Sequence, residues 1–233
     1  MQSLGEAIAN ALGLLLGGDP ELWEIVAISF RVSVTAMLVA TPFALLVAFA
    51  LAHFTFPGRK LLVTLFSSLL SVPAVVVGLT FYLLLSRQGP LGDWKLLFTQ
   101  SAMVIGQIAL AFPILVAMSH SAFHALDRRA WETARTLGAG PLRATLTLMR
   151  EIRFGLFAAL FAAFGRIIAE VGASMMLGGN ILHYTRNIPT AIALETSKGE
   201  FAQGIALGIV LLSLTFSVTA LLQHLQQRRM IGR

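Results

Sequence analysis

Five apolar stretches, at 32–52, 61–85, 101–119, 154–178 and 201–222, contain between them only two charged side chains, Arg166 and Glu170. Crossing a hydrocarbon core of about 30 Å as an α-helix takes about 20 predominantly apolar residues. Runs of 19 to 25 residues meet or approach that length. Composition agrees, with 57% of the 233 residues apolar and 12% charged, where a soluble domain carries about 25% charged residues. The expected fold class is therefore an all-α integral membrane protein with about five transmembrane helices.

The charges excluded from the spans are sorted by side. Segments 53–60, 120–153 and 223–233 hold 11 basic and 3 acidic residues, whereas the opposite side holds 5 basic and 7 acidic ones. The sides net +8 and −2, and Arg166 and Glu170 cancel. An excess of Lys and Arg marks cytoplasmic loops, so the N-terminus is expected outside the cell membrane and the C-terminus in the cytoplasm. The formal charge of +6 then describes orientation, and nucleic acid is not an expected partner. The chain has no cysteine, which excludes disulfides, thiolate metal sites and cysteine nucleophiles. Residues 1–10 carry only Glu6 and lack the basic start of a secretory signal peptide.

Residues 4–16 place Leu4, Ile8, Ala11, Leu12 and Leu15 on one helical face. The stretch is too short to span and reads as an interfacial helix, within an N-terminal segment 1–19. Asp19, Pro20 and Glu21 are an N-cap, a first-turn proline and an acid at the positive end of the helix dipole. They start the membrane domain, 20–222, with Trp23 at headgroup level; a basic tail, 223–233, follows. Pro73 and Pro113 fall inside the second and third spans. A proline removes one helical hydrogen bond and kinks the helix. Such kinks line a pathway where neighbours or water satisfy the freed carbonyls, although prolines are common in membrane helices generally.

The long basic loop 120–153 is patterned. Asp127 can cap a short helix over 128–137 that aligns Ala130, Trp131, Ala134 and Leu137, and Gly138 stands where a glycine ends a helix. Gly140 and Pro141 turn the chain into a second helix with Leu142, Leu146 and Met149 at helical spacing. So short a helix is marginal in water by itself, so its apolar stripe is expected to dock, either into a partner's groove or onto its own bundle and anionic lipid.

Glu132-Thr133-Ala134, three residues and Gly138 resemble the EAA loop of ABC importer permeases, in which Glu-Ala-Ala, three residues and Gly are followed by nine residues and Ile-x-Leu-Pro. Leu148 stands near the Ile place; Thr133 and Arg150-Glu151 depart from the pattern. In that family the loop is a coupling helix docked in a cleft of the ATPase subunit. The resemblance implies that Arg128, Arg129, Trp131, Glu132, Ala134, Arg135 and Gly138 form the ATPase contact.

Arg166 and Glu170 are four apart in the fourth span, close enough on a helix to pair. An unpaired charge at mid-bilayer costs about 2.5–3.5 kcal/mol on insertion scales. The pair reads either as a polar lining or gate, or as a fastener of helix register, with Gly165 and Gly172 permitting close helix approach. The stretch RIIAEVGASMMLGGN, 166–180, resembles one shared by molybdate, sulfate and tungstate permeases. TAIALETSKGEF (190–201), VPAVVVGL (72–79) and LLSRQGPLG (84–92) extend the likeness, the first of them toward the tungstate-uptake permease subunit. The resemblance implies the type I ABC importer permease fold and uptake of an oxyanion, tungstate foremost, delivered by an extracytoplasmic binding protein. Pro73, Pro113, Arg166, Glu170, Ser174 and Asn180, with Thr80, are the candidate pathway residues.

The three lysines follow Arg59, Trp94 and Ser197, so none completes the Gly-Lys of a P-loop. No cofactor is expected on this chain; ATP and Mg²⁺ belong to a separate ATPase, expected in two copies. Five spans are few for a closed path, so a second copy of this chain is expected as a two-fold partner. The chain reads as a transport subunit and not an enzyme. Two other classes remain open. His120, His124 and Asp127 share one helical face and could hold a metal in a membrane enzyme. An ion-coupled secondary transporter would be expected to show inverted repeats, and none is evident.

Overall fold

The computed structural model describes residues 4–125, 133, 136–138 and 140–231, and the regular elements among them are all helical. Helix α1 (Leu4–Gly17) is followed by Gly18 at φ 69°, a left-handed turn that glycine adopts without penalty. The Asp19 carboxylate then accepts the Leu22 N–H at 2.9 Å and caps α2 (Pro20–His53), a helix of 34 residues.

Over 61–85 the sequence predicts one kinked span, and the structure has two helices instead. α3 (Arg59–Leu69) and α4 (Ala74–Leu85) meet at 103°. Pro73 is the cause. It has no N–H to continue α3 and biases Val72 away from helical geometry. Its own extended backbone, at φ −62° and ψ 129°, caps α4. No residue of α3 is fully buried, and its Val63 and Phe66 rest only partly buried on the core, so the packing that opposes the break is weak. Pro113 behaves differently. It is buried within unbroken α5 (Gln100–His124), where neighbours on several sides hold the helix together. A 3₁₀ turn, Gly92–Trp94, lies between α4 and α5.

α5 is the centre of the bundle. Ala36, Ala40 and Ala44 of α2 form a buried row of small side chains against Leu110, Ala111 and Leu115 of α5. Small residues let membrane helices approach closely, which matters where lipid removes the hydrophobic drive for association. Ile28 and Val32 cluster with Met103 at one end, and Ala48 and Ala52 with Phe123 at the other, so α2 and α5 run parallel.

After α6 (Pro141–Glu151), the fourth span is also broken. α7 (Arg153–Ile168) and α8 (Gly172–Gly178) meet at 60°. Arg166 and Glu170 therefore do not lie on one continuous helix, as the sequence predicts. The residues between α8 and the last span form a further helix, α9 (Ile188–Lys198), which hydropathy does not reveal. Its start is a capping box, in which the Asn187 side chain accepts the Thr190 N–H at 3.1 Å while the Thr190 hydroxyl accepts the Asn187 N–H. Helix α10 (Phe201–Ile231) continues through the stretch that reads as a tail. The five apolar units of the sequence are thus α2, α3 with α4, α5, α7 with α8, and α10, two of them broken. α1 packs with the first turns of α2, with α9 and with the start of α10 around Leu22, Ile25, Ile188 and Leu207.

Candidate functional site

The break between α7 and α8 is a polar site inside an apolar bundle. Glu170 is 7% exposed, and its carboxylate is held by three donors. Arg166 Nη1 donates to Oε2 at 2.5 Å, and the N–H groups of Gly172 and Ala173 donate to Oε1 at 2.8 and 3.3 Å. Glu170 therefore caps the first turn of α8 while pairing with Arg166, which accounts for a bend at this point. The opposing end is satisfied from α5, where Gln107 donates to the Ile167 carbonyl at 3.2 Å. The Gln107 Oε1 is buried and has no partner among the described residues. Hydropathy overlooks Gln107; an uncharged amide within an apolar span is the signal that could have found it.

α4 and α8, which each begin at a break, pack side by side and parallel. A Cβ placed on Gly78 would lie 2.8 Å from the Ala173 Cα, and one on Gly172 would lie 2.6 Å from the Val75 Cγ2. Gly172 thus permits the close approach expected of it. Gly165 does not: among the described residues a Cβ there meets nothing within 4 Å.

Of the other candidate pathway residues, Ser174 lies in the first turn of α8 with a buried hydroxyl that has no partner among the described residues. Asn180, at φ 51°, follows Gly179 in the turn that ends α8, and its Oδ1 is likewise buried and unpartnered among the described residues. Pro73 is exposed at the neighbouring break and Pro113 is buried in α5. Thr80 bonds back to the Val76 carbonyl of its own helix. The break at 168–172 brings Arg166, Glu170 and Ser174 to one place, with Gln107 beside it.

A second polar group lies where the 179–187 segment meets α2 and α9. Arg186 reaches Glu21 at 3.5 Å and Glu195 at 4.0 Å, Lys198 pairs with Glu195 at 3.0 Å, and His183 meets Glu24 at 2.6 Å. These pairs hold the segment against the start of α2. Glu195 is buried, although the sequence shows it only as one letter of a familiar stretch.

The possible metal ligands His120 and His124 stack with ring centroids 5.8 Å apart, while Asp127 lies outside the described residues. Among the described residues no group of three or more His, Asp or Glu side chains is placed to hold a metal ion. Arg128, Arg129, Trp131, Glu132, Ala134 and Arg135 also lie outside the described residues. Gly138 is described, at φ 83°. Leu137 before it is 81% exposed and Leu146 of α6 is 49% exposed, which leaves apolar surface uncovered beside this turn.

This geometry has counterparts in known proteins. The crystal structure of an amino acid ABC transporter with histidines matches with a TM-score of 0.65 at 14% identity, over 92% of this chain and 96% of that one; the likeness is one of fold. The tungstate uptake system permease protein TupB of Peptoclostridium acidaminophilum is 37% identical over 227 residues, 97% of this chain and 100% of that protein. The molybdenum transport system permease protein ModB of Escherichia coli K12 is 32% identical over 213 residues, 85% of this chain and 93% of that protein. The family model described as binding-protein-dependent transport system inner membrane component matches residues 40–231. A bundle with two broken spans and a basic loop before the second of them thus belongs to a multi-pass membrane subunit of transport, not an enzyme, and the chain is a member of the binding-protein-dependent transport system inner membrane component family.

Proposed function

We propose that this chain is the permease subunit of an ATP-driven importer that takes up tungstate delivered by an extracytoplasmic binding protein. The observation that carries the reading is the near full-length likeness to a tungstate uptake permease. The site supports it chemically. A half-exposed arginine and a buried polar cluster at a break in a membrane helix suit a small, hydrated oxyanion better than an apolar cargo. In this reading two copies of the chain enclose the path, and Arg166 faces it near the breaks at Pro73 and Glu170, with Glu170, Ser174 and Asn180 in the wall behind. Two copies of an ATPase subunit supply ATP and Mg²⁺ chemistry at the cytoplasmic face. The basic loop containing Glu132 and Gly138 is the contact through which hydrolysis is coupled to transport. The N-terminus is outside and the C-terminus cytoplasmic. Molybdate is the second reading, favoured by the molybdenum permease relative, since the two oxyanions share charge and tetrahedral shape.

The test is reconstitution of the permease with its ATPase and binding protein in liposomes, followed by uptake of tungstate, molybdate and sulfate. Tungstate uptake that requires ATP and the binding protein is expected. Absence of all three activities from an assembled complex would refute the reading. Replacing Glu132 is expected to leave the permease inserted but to separate ATP hydrolysis from uptake; normal uptake would remove the coupling assignment.

A further inference from the structure

Arg166 and Glu170 form an asymmetric ion pair. The Arg166 side chain is 42% exposed and that of Glu170 only 8%. Beside the guanidinium, Ala162 and Ala169 are exposed and Gly165 is partly exposed, and none of the three is large enough to shield it. Among the described residues a Cβ on Gly165 would still meet nothing within 4 Å. An arginine at this depth does not face lipid at no penalty, so the open side of Arg166 is the side on which water or cargo stands. Glu170 lies behind it and has little freedom to leave, because one carboxylate oxygen is held by the N–H groups of Gly172 and Ala173 while the other holds Arg166.

We propose that Arg166 is the side chain that contacts the oxyanion in transit, and that Glu170 is a fixed counter-charge that keeps this contact weak enough for release. The proposal rests on the oxyanion-permease reading and names the regulation of its site. A bare guanidinium, desolvated in a low-dielectric wall, would bind a doubly charged tetrahedral oxyanion tightly and retain it. A path needs a contact favourable enough for entry and weak enough for exit. A carboxylate pinned to the backbone meets that need without moving: it cancels part of the arginine's charge while leaving its outward N–H groups free to donate. Capping α8 and tempering Arg166 are then one act of one side chain, and a shift of the bend would change both.

Glu170→Gln separates the two roles, because the amide oxygen still accepts the Gly172 N–H while the charge is lost. The assembled permease–ATPase complex in nanodiscs, without binding protein, is titrated with tungstate by calorimetry, and uptake is followed in liposomes with binding protein. Wild type is expected to bind tungstate weakly. Glu170→Gln should bind about tenfold more tightly and show a lower maximal uptake rate, because release becomes slow. Arg166→Gln, alone or combined with Glu170→Gln, should abolish the gain, and Arg166→Lys should retain part of it. If Glu170→Gln fails to assemble, Glu170→Asp, which keeps the charge but shortens the arm, should give a smaller gain of about threefold. Unchanged affinity in the assembled Glu170 variant, or a gain that survives Arg166→Gln, overturns the proposal. Dissociation of the two permease copies by Arg166→Lys would instead identify the arginine as a contact between copies, and would equally overturn it. Wild-type tungstate uptake without any gain in the variants rejects this inference alone. Tighter tungstate binding by Glu170→Gln with no uptake of any oxyanion in wild type rejects the tungstate function and leaves the anion contact standing.

Discussion

Gly78→Ala and Gly165→Ala together measure how tightly the two half-helices α4 and α8 are joined. Both positions are helical, so each alanine gains about 1 kcal/mol of helix propensity over glycine. Only one meets a neighbour. At Gly78 the new Cβ stands 2.8 Å from the Ala173 Cα, 3.2 Å from the Met176 Sδ and 3.4 Å from the Ala173 Cβ, whereas at Gly165 nothing among the described residues lies within 4 Å. The contact at Ala173 is with backbone, which no rotamer change relieves, so α4 and α8 must separate by an appreciable fraction of an ångström. Overpacking of this kind costs about 1–3 kcal/mol. The propensity terms cancel between the variants, so Gly78→Ala is expected to be the less stable by about 1–3 kcal/mol. For a chain of this length that is about 2–4 °C in Tm per kcal/mol. The assay is thermal unfolding of the two purified variants in one detergent at one scan rate, with tungstate uptake measured in parallel. Equal melting temperatures would show that the backbone contact between α4 and α8 is not a tight one. A lower value for Gly165→Ala would show that the open face of α7 is covered by another copy.

Asn187→Ala removes the acceptor of the Thr190 N–H in a buried capping box; a loss of about 1–2 kcal/mol is expected, seen as faster amide exchange over 188–192, and unchanged exchange would show the cap to be redundant. Gly138→Val places a β-branched residue at φ 83° with no neighbour within 4 Å among the described residues. The left-handed backbone there costs a β-branched residue about 1–2 kcal/mol, and uptake should fall while ATP hydrolysis persists; normal uptake would show that the loop tolerates a different turn.

The apolar spans, the Asp19 cap and the proximity of Arg166 to Glu170 are legible in the sequence because each depends on neighbours in the chain. The severity of the two breaks is not. Pro73 and Pro113 look alike as letters, and their different outcomes follow from what packs on each: α3 touches the core only through partly buried side chains such as Val63 and Phe66, whereas α5 is enclosed. Spacing places Glu170 one turn from Arg166 but does not show that it would leave the helix to cap the next one. That choice becomes visible only when Gly172 and Ala173 are seen to donate to it. Gln107 and Glu195 are single polar letters whose partners, Ile167 and Arg186, come from other elements. α9 is hidden for a further reason: it is too short and too mixed in composition to stand out in hydropathy, and what marks it is the Asn187 cap.

α2 is longer than any bilayer needs. Its 34 residues make a rod of about 51 Å at 1.5 Å per residue. Even a tilt of about 40°, the upper end of what membrane helices adopt, leaves it about 9 Å longer than the hydrocarbon is thick. The uncharged run 32–52 is sufficient to fill the membrane, so the overhang is the stretch from Pro20 to Arg31. Around that overhang gather α1, the start of α9 and the ion pairs to Glu21 and Glu24. The chain therefore has two interiors assembled by different forces. One lies in lipid and is held by close small-residue contact; the other lies at the aqueous boundary, where the aversion of water for Leu22, Ile25 and Ile188 does the assembling. Solvent conditions that loosen the second need not touch the first, and this cap can give way while the spans stay in place.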